Sequence, residues 1–111
     1  KMIEITVWRN KEQSLEAFLV EGHAGYADYG QDIVCAAVST LTQTAILAIE
    51  ELTGEEPVVD LSEGRLYCEV PSRISAKKQA IISTILETMF VGLMAIAKEY
   101  PSNVAISQLR R

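Results

Sequence analysis

The order of apolar patterns along the chain predicts an α+β fold. It is a two-layer sandwich in which a mostly antiparallel sheet carries two helices packed on one face, in the order ββαββαβ. Three observations predict it. Short, β-branched, roughly alternating stretches come in two pairs, each joined by a polar or glycine-containing turn. Two longer stretches carry apolar residues at spacings of three and four, and a last alternating stretch follows the second of them. Neither a short-period repeat nor a linker interrupts the 111 residues, so residues 1–111 read as one domain.

Taken in order, residues 2–9 alternate around Ile3, Ile5 and Val7 and read as a strand. The polar turn Asn10-Lys11-Glu12-Gln13 returns the chain into a second strand over 14–21. Gly22 ends the hairpin. The loop 22–31 holds Gly22, Gly25 and Gly30 with Tyr26 and Tyr29, a composition that suits an irregular, mobile segment. Asp32 fits a helix N-cap, since its carboxylate can accept the free N–H groups of a first turn, and Gly54 fits the stop. Val34, Val38, Leu41, Ala45, Ala48 and Leu52 form the expected buried stripe.

Residues 57–61 and 65–70 read as a second hairpin turned at Ser62-Glu63-Gly64, which Pro71 breaks. Ser75 caps a second helix expected to reach Glu99, with Ile82, Ile85, Met89, Leu93 and Ile96 as its stripe, widened by Phe90, Met94 and Ala97. A helix apolar over so much of its circumference is deeply buried or meets a partner chain. Pro101 ends it, and 104–109 alternate as the last strand.

The apolar share of 49% suits a globular chain long enough to bury a core without disulfides. The formal net charge of −5 argues against direct nucleic-acid binding, which needs a concentrated basic surface. A mildly acidic balance is also what many soluble proteins carry. Cys35 and Cys68 belong to no CxxC pair and the chain has one histidine, so neither a metal nor another cofactor is expected. Lys1 before Met2 reads as a residue left by tagging. A strand pattern begins at once, so no signal peptide is expected. Polar residues interrupt each apolar run before the roughly 18–20 residues of a membrane span, so no membrane is expected. Together these features point to the reducing cytoplasm, where a lone cysteine remains a thiol.

The chemistry-bearing stretch is 22–39. It holds the single histidine, His23, and Cys35 follows twelve residues later. With Asp32 as N-cap, Cys35 falls at the third helical position. There the helix dipole and unpaired amides favour thiolate, and the same amides could hold an oxyanion. His23 could take the thiol proton as general base and return it to a leaving amine. Asp32 opposes the thiolate by charge but is placed to orient His23, and Ser39, one helical turn beyond Cys35, could fix His23 or a substrate carbonyl. The plain alternatives stand beside this. Cysteines in helices are most often small core residues, and a lone histidine is most often on the surface or satisfied in a core. Cys68, inside a strand pattern, reads as structural. Tyr26 reads as loop packing or a substrate contact. The glycines suit a lid or any tight turn.

Gly22-His23-Ala24-x-Tyr26, followed by Gly30-x-Asp32-Ile33-Val34-Cys35-Ala36-Ala37-Val38-Ser39, resembles the signature of the ribosomal-processing cysteine proteases, the Prp family. The resemblance covers nearly the whole chain and departs at no motif position. It implies a cysteine endopeptidase that removes the N-terminal extension of the large-subunit ribosomal protein L twenty-seven, a step tied to ribosome assembly. It also implies His23 and Cys35 as the catalytic pair, Asp32 and Ser39 as supporting residues, and a substrate-binding loop that includes Gly22, Gly25, Tyr26 and Gly30. A homodimer is implied as well. Two other readings compete: a ribosome-associated module that binds a peptide without cutting it, and a redox-sensing thiol protein in which Cys35 reacts with oxidants and needs no His23.

Overall fold

The computed structural model describes residues 2–28 and 30–111. Lys1, read as a tagging remnant, and Tyr29 of the 22–31 loop lie outside the described residues. The elements follow the expected order: β1 (Ile3–Arg9), β2 (Leu15–Glu21), α1 (Ile33–Thr53), β3 (Val58–Ser62), β4 (Arg65–Glu69), α2 (Ala76–Glu99) and β5 (Val104–Arg110). They form one five-stranded sheet in the order β3-β4-β2-β1-β5. β1 with β2, β2 with β4, and β3 with β4 pair antiparallel, while β1 and β5 pair parallel, Ile3 opposite Val104.

That topology explains why both helices share a face. α1 connects β2 to β3, and α2 connects β4 to β5. β2 and β4 run in opposite directions, and the two crossovers step toward opposite edges of the sheet. The right-handed preference for such connections then puts both helices on the same side. Register confirms it. Ile5 opposes Val20, Val20 opposes Leu66, Val7 opposes Phe18 and Phe18 opposes Cys68, a continuous apolar surface buried under the helices. On the reverse face Trp8 stands edge-on to Tyr67, ring centres 6.1 Å apart, and the Arg111 guanidinium lies over Trp8.

The helix stripes need correction. α1 buries Val34, Val38, Thr42, Ala45, Ile46, Ile49 and Thr53. Leu52, placed in the stripe on sequence, is 62% exposed, and Leu41 and Ala48 lie on the flank toward α2 rather than over the sheet. Two threonines belong to the buried face because each returns its hydroxyl to its own helix. Thr42 Oγ1 donates to Val38 O at 2.9 Å and Thr53 Oγ1 to Ile49 O at 2.5 Å, and among the described residues no buried side-chain N or O atom lacks a partner. In α2 the deepest residues are Ile82, Leu86, Met89 and Leu93, with Ile85 and Ile96 half-buried and Met94 exposed. Both helices are, by length and composition, apolar enough to cross a membrane, contrary to the expectation from interrupted runs. Here one side of each covers the sheet, and Leu47, Leu52, Val91 and Met94 remain exposed.

Candidate active site

The site lies where β2 ends and α1 begins. Asp32 is the N-cap of α1, with extended backbone at φ −86 and ψ 102. Its Oδ1 accepts from the N–H groups of Val34 and Cys35, both at 3.0 Å. Its Oδ2 accepts from Tyr26 N at 3.0 Å and Ala27 N at 3.3 Å. One side chain thus caps the helix and ties the preceding loop to it. Burial pushes this carboxyl up, but the N–H groups of Cys35, Ala27, Tyr26 and Val34 together hold it below the usual carboxylate range.

This arrangement changes two expectations. The amides of Val34 and Cys35, considered as oxyanion donors, are occupied by the cap. The carboxylate considered as an orienter of His23 spends both oxygens on backbone. The donor that does meet the thiol is one the sequence hid: Ala24 N–H points at Cys35 Sγ, 3.3 Å away. Ala24 is fully buried, and its carbonyl accepts from Asn103 Nδ2 at 2.9 Å, across 79 residues of chain. Alanine offers no polar side chain to flag such a role, and nothing near Asn103 in sequence does so either.

His23, Cys35, Asp32, Ser39, Gly25 and Gly30 line one open cleft of about 650 Å³. His23 is exposed and Cys35 half-buried. Among the described residues no hydrogen bond joins the imidazole to the sulfur, and Ser39 Oγ instead accepts from Gln43 Nε2 at 2.7 Å. The β3–β4 turn forms the wall behind the imidazole. A methyl group added at Gly64 would come within 3.4 Å of His23 Nε2, and Glu63 of the same turn lines the cleft. Sequence reading treated that turn only as a hairpin bend.

Gly22 joins the strand to the site. Its φ is +90, and a side chain there would meet Met2 O at 2.6 Å, so only glycine fits. Tyr26 is 49% exposed and stands edge-on to Tyr100, ring centres 5.4 Å apart.

The two thiols differ sharply. At Cys35 burial pushes the thiol up, the Ala24 N–H pulls it down, and the Asp32 carboxylate pushes it up again, for a net upward shift. At Cys68, burial first and then Glu50 and Glu69 push the thiol up to about 12. Cys68 therefore behaves as a core residue, whereas Cys35 opens onto the cleft. Among the described residues no group of three His, Cys, Asp or Glu side chains is gathered to hold a metal ion.

A thiol and an imidazole on one cleft, with a fixed amide on the sulfur, are the groups that acyl transfer uses. Comparisons with known proteins agree. The family model of cysteine protease Prp matches residues 2–105. The ribosomal processing cysteine protease Prp of Bacillus subtilis (strain 168) is 32% identical over 108 residues, covering 96% of each chain. The Staphylococcus aureus enzyme of that name is 31% identical over 106 residues, covering 96% of this chain and 98% of its own. The crystal structure of the S. aureus protease with a covalently linked product peptide superposes with a TM-score of 0.85 at 30% identity, covering 96% of this chain and 99% of that one. SMU.848 of Streptococcus mutans superposes with a TM-score of 0.86 at 32% identity, covering 100% and 97%.

Proposed function

The chain belongs to the Prp family of ribosomal processing cysteine proteases, and from that premise we propose Cys35 as its nucleophile and His23 as its general base and acid. The substrate in this reading is the precursor of ribosomal protein L twenty-seven, whose N-terminal extension is removed during ribosome assembly. The observation that carries the catalytic assignment is the Ala24 N–H on Cys35 Sγ, with His23 beside it in the chain and on the same cleft. The relatives' printed role in ribosomal processing, and the S. aureus structures that hold product and substrate peptides, support a peptide substrate.

The mechanism follows from the thiol's environment. Burial and the Asp32 carboxylate keep Cys35 protonated at rest, so attack needs a base. His23 takes the proton as Cys35 Sγ attacks the scissile carbonyl, then gives it to the leaving amine. The Ala24 N–H, already 3.3 Å from the sulfur, lies within reach of an oxygen on the carbon bonded to that sulfur. Water then hydrolyses the acyl-enzyme. Asp32 fixes the loop and helix start, Ser39 lines the cleft, and Gly22, Gly25, Tyr26 and Gly30 belong to the loop that meets the peptide.

A peptide spanning the extension and junction, followed by mass spectrometry, tests this directly. The parent should cut it, and Cys35→Ala and His23→Ala should lower the rate by at least about a thousandfold. Cleavage at the parental rate by Cys35→Ala would sink the assignment. Binding without cleavage by the parent would favour the peptide-binding module instead.

We place the enzyme in the cytoplasm as a homodimer. Its two free thiols suit a reducing compartment. An apolar groove between the helices, lined by Leu41, Ala48, Ile85 and Met89, gives a second copy a surface to cover. Sedimentation equilibrium of Thr88→Glu, a substitution on the exposed rim of that groove, should give a monomer where the parent gives a dimer.

A further inference from the structure

Cys35 must become a thiolate in a cleft that offers it no fixed cation. The charged or titratable side chains lining the cleft beside it are Asp28, Asp32, Glu63 and His23, and no lysine or arginine is among the lining residues. Apart from His23, which moves the proton, oriented N–H groups have to supply the stabilisation. Those of Val34 and Cys35 are held by Asp32, and among the described residues the Ala24 N–H is the donor that meets the sulfur.

That amide sits on a loop, yet Ala24 is fully buried and held from the far end of the chain. Asn103 Nδ2 donates to Ala24 O at 2.9 Å. Asn103 is itself pinned by its backbone, its N–H donating to Tyr100 O at 2.9 Å and its carbonyl accepting from Ile3 N at 2.8 Å. Tyr100, at the start of the same turn, braces Tyr26 edge-on. We propose that Asn103 is a positioning residue for the protease, holding the Ala24 carbonyl so that the Ala24 N–H stays aimed at Cys35 Sγ. The proposal rests on Cys35 being the nucleophile.

Two readouts in the full chain test it: peptide cleavage, and the pH dependence of Cys35 alkylation by iodoacetamide, located by peptide mapping. Asn103→Leu removes the donor and keeps the volume, Asn103→Asp keeps the shape without the donor, and Asn103→Gln keeps an amide on a longer arm. The Leu and Asp variants should lower kcat about tenfold with KM within about twofold. They should also move the alkylation midpoint upward, and Asn103→Gln should recover part of both. Agreement between Leu and Asp separates the lost donor from the added charge. An unmoved midpoint and normal kcat in either folded variant overturns the proposal, as does an activity loss that merely follows a lowered Tm with the midpoint unchanged. The alkylation profile does not depend on which residue cuts the peptide, so cleavage by Cys35→Ala would defeat the nucleophile assignment separately.

Discussion

The two helices begin alike and serve different ends. Each starts on an extended, capping side chain: Asp32 for α1 and Ser75 for α2. Ser75 Oγ accepts from Lys78 N at 3.2 Å, its one side-chain hydrogen bond among the described residues. Asp32 accepts from four amides, two in its helix and two in the loop that precedes it. The second carboxylate oxygen is the difference. A hydroxyl can finish a helix, but a carboxylate can also fasten another segment to it, and that segment carries His23 and Ala24. A capping position thereby becomes the joint of the candidate site.

Replacing the two caps gives the largest expected contrast. Asp32→Ala should lower kcat/KM on the order of a hundredfold, because the loop loses its anchor to the helix of the proposed nucleophile. Ser75→Ala should cost about 1 kcal/mol of stability and leave turnover within about twofold. Equal losses of turnover in steady-state cleavage assays would show that Asp32 is only a cap. Next comes the hinge before the joint. Gly22→Ala puts a methyl group against Met2 O in a left-handed backbone and should destabilise by about 2 kcal/mol in urea melts. Gly54→Ala, at the C-cap of α1 with φ +74 and open space around it, should cost about 1 kcal/mol.

Smaller effects come through pH. The Asp32 carboxyl titrates lower in the folded protein than unfolded, so its stabilising contribution is complete above the ordinary carboxylate range. It is lost as pH falls through the lower folded value. Hydrogen-exchange protection of the Tyr26 and Ala27 amides, relative to the intrinsic rate at each pH, should fall across that window, while that of Lys78, capped by a neutral hydroxyl, should not follow. Protection of all three amides lost together would mean the loop is not separately fastened. Asp32→Asn, which keeps an acceptor and removes the charge, should lower the midpoint of Cys35 alkylation, since the carboxylate is one of the groups holding that thiol up.

Much of this was legible from sequence, for specific reasons. Strand and helix periods differ, so the order ββαββαβ could be read directly. Asp32, Gly54 and Ser75 are the residue types that helix ends favour. The parallel β1–β5 pair could not be read, because alternation marks a strand without naming its neighbour. The face of α1 was misplaced because Thr42 and Thr53 count as polar until their hydroxyls are seen to bond backward along the helix. His23, Cys35 and Asp32 were visible as side chains. The Ala24 amide and Asn103 were not, since one is backbone and the other is brought near only by the last crossover.

That last crossover also sets when the site exists. β5 completes the sheet by pairing with β1, about a hundred residues away in the chain, and contacts of such separation tend to form late. Asn103 immediately precedes β5 and reaches the loop only from that docked position. A chain that has collapsed around α1 and the first hairpin but has not seated β5 holds a cysteine without its aligned amide. With Cys35 and the Ala24 amide acting as proposed, competence to cut arrives with that docking step.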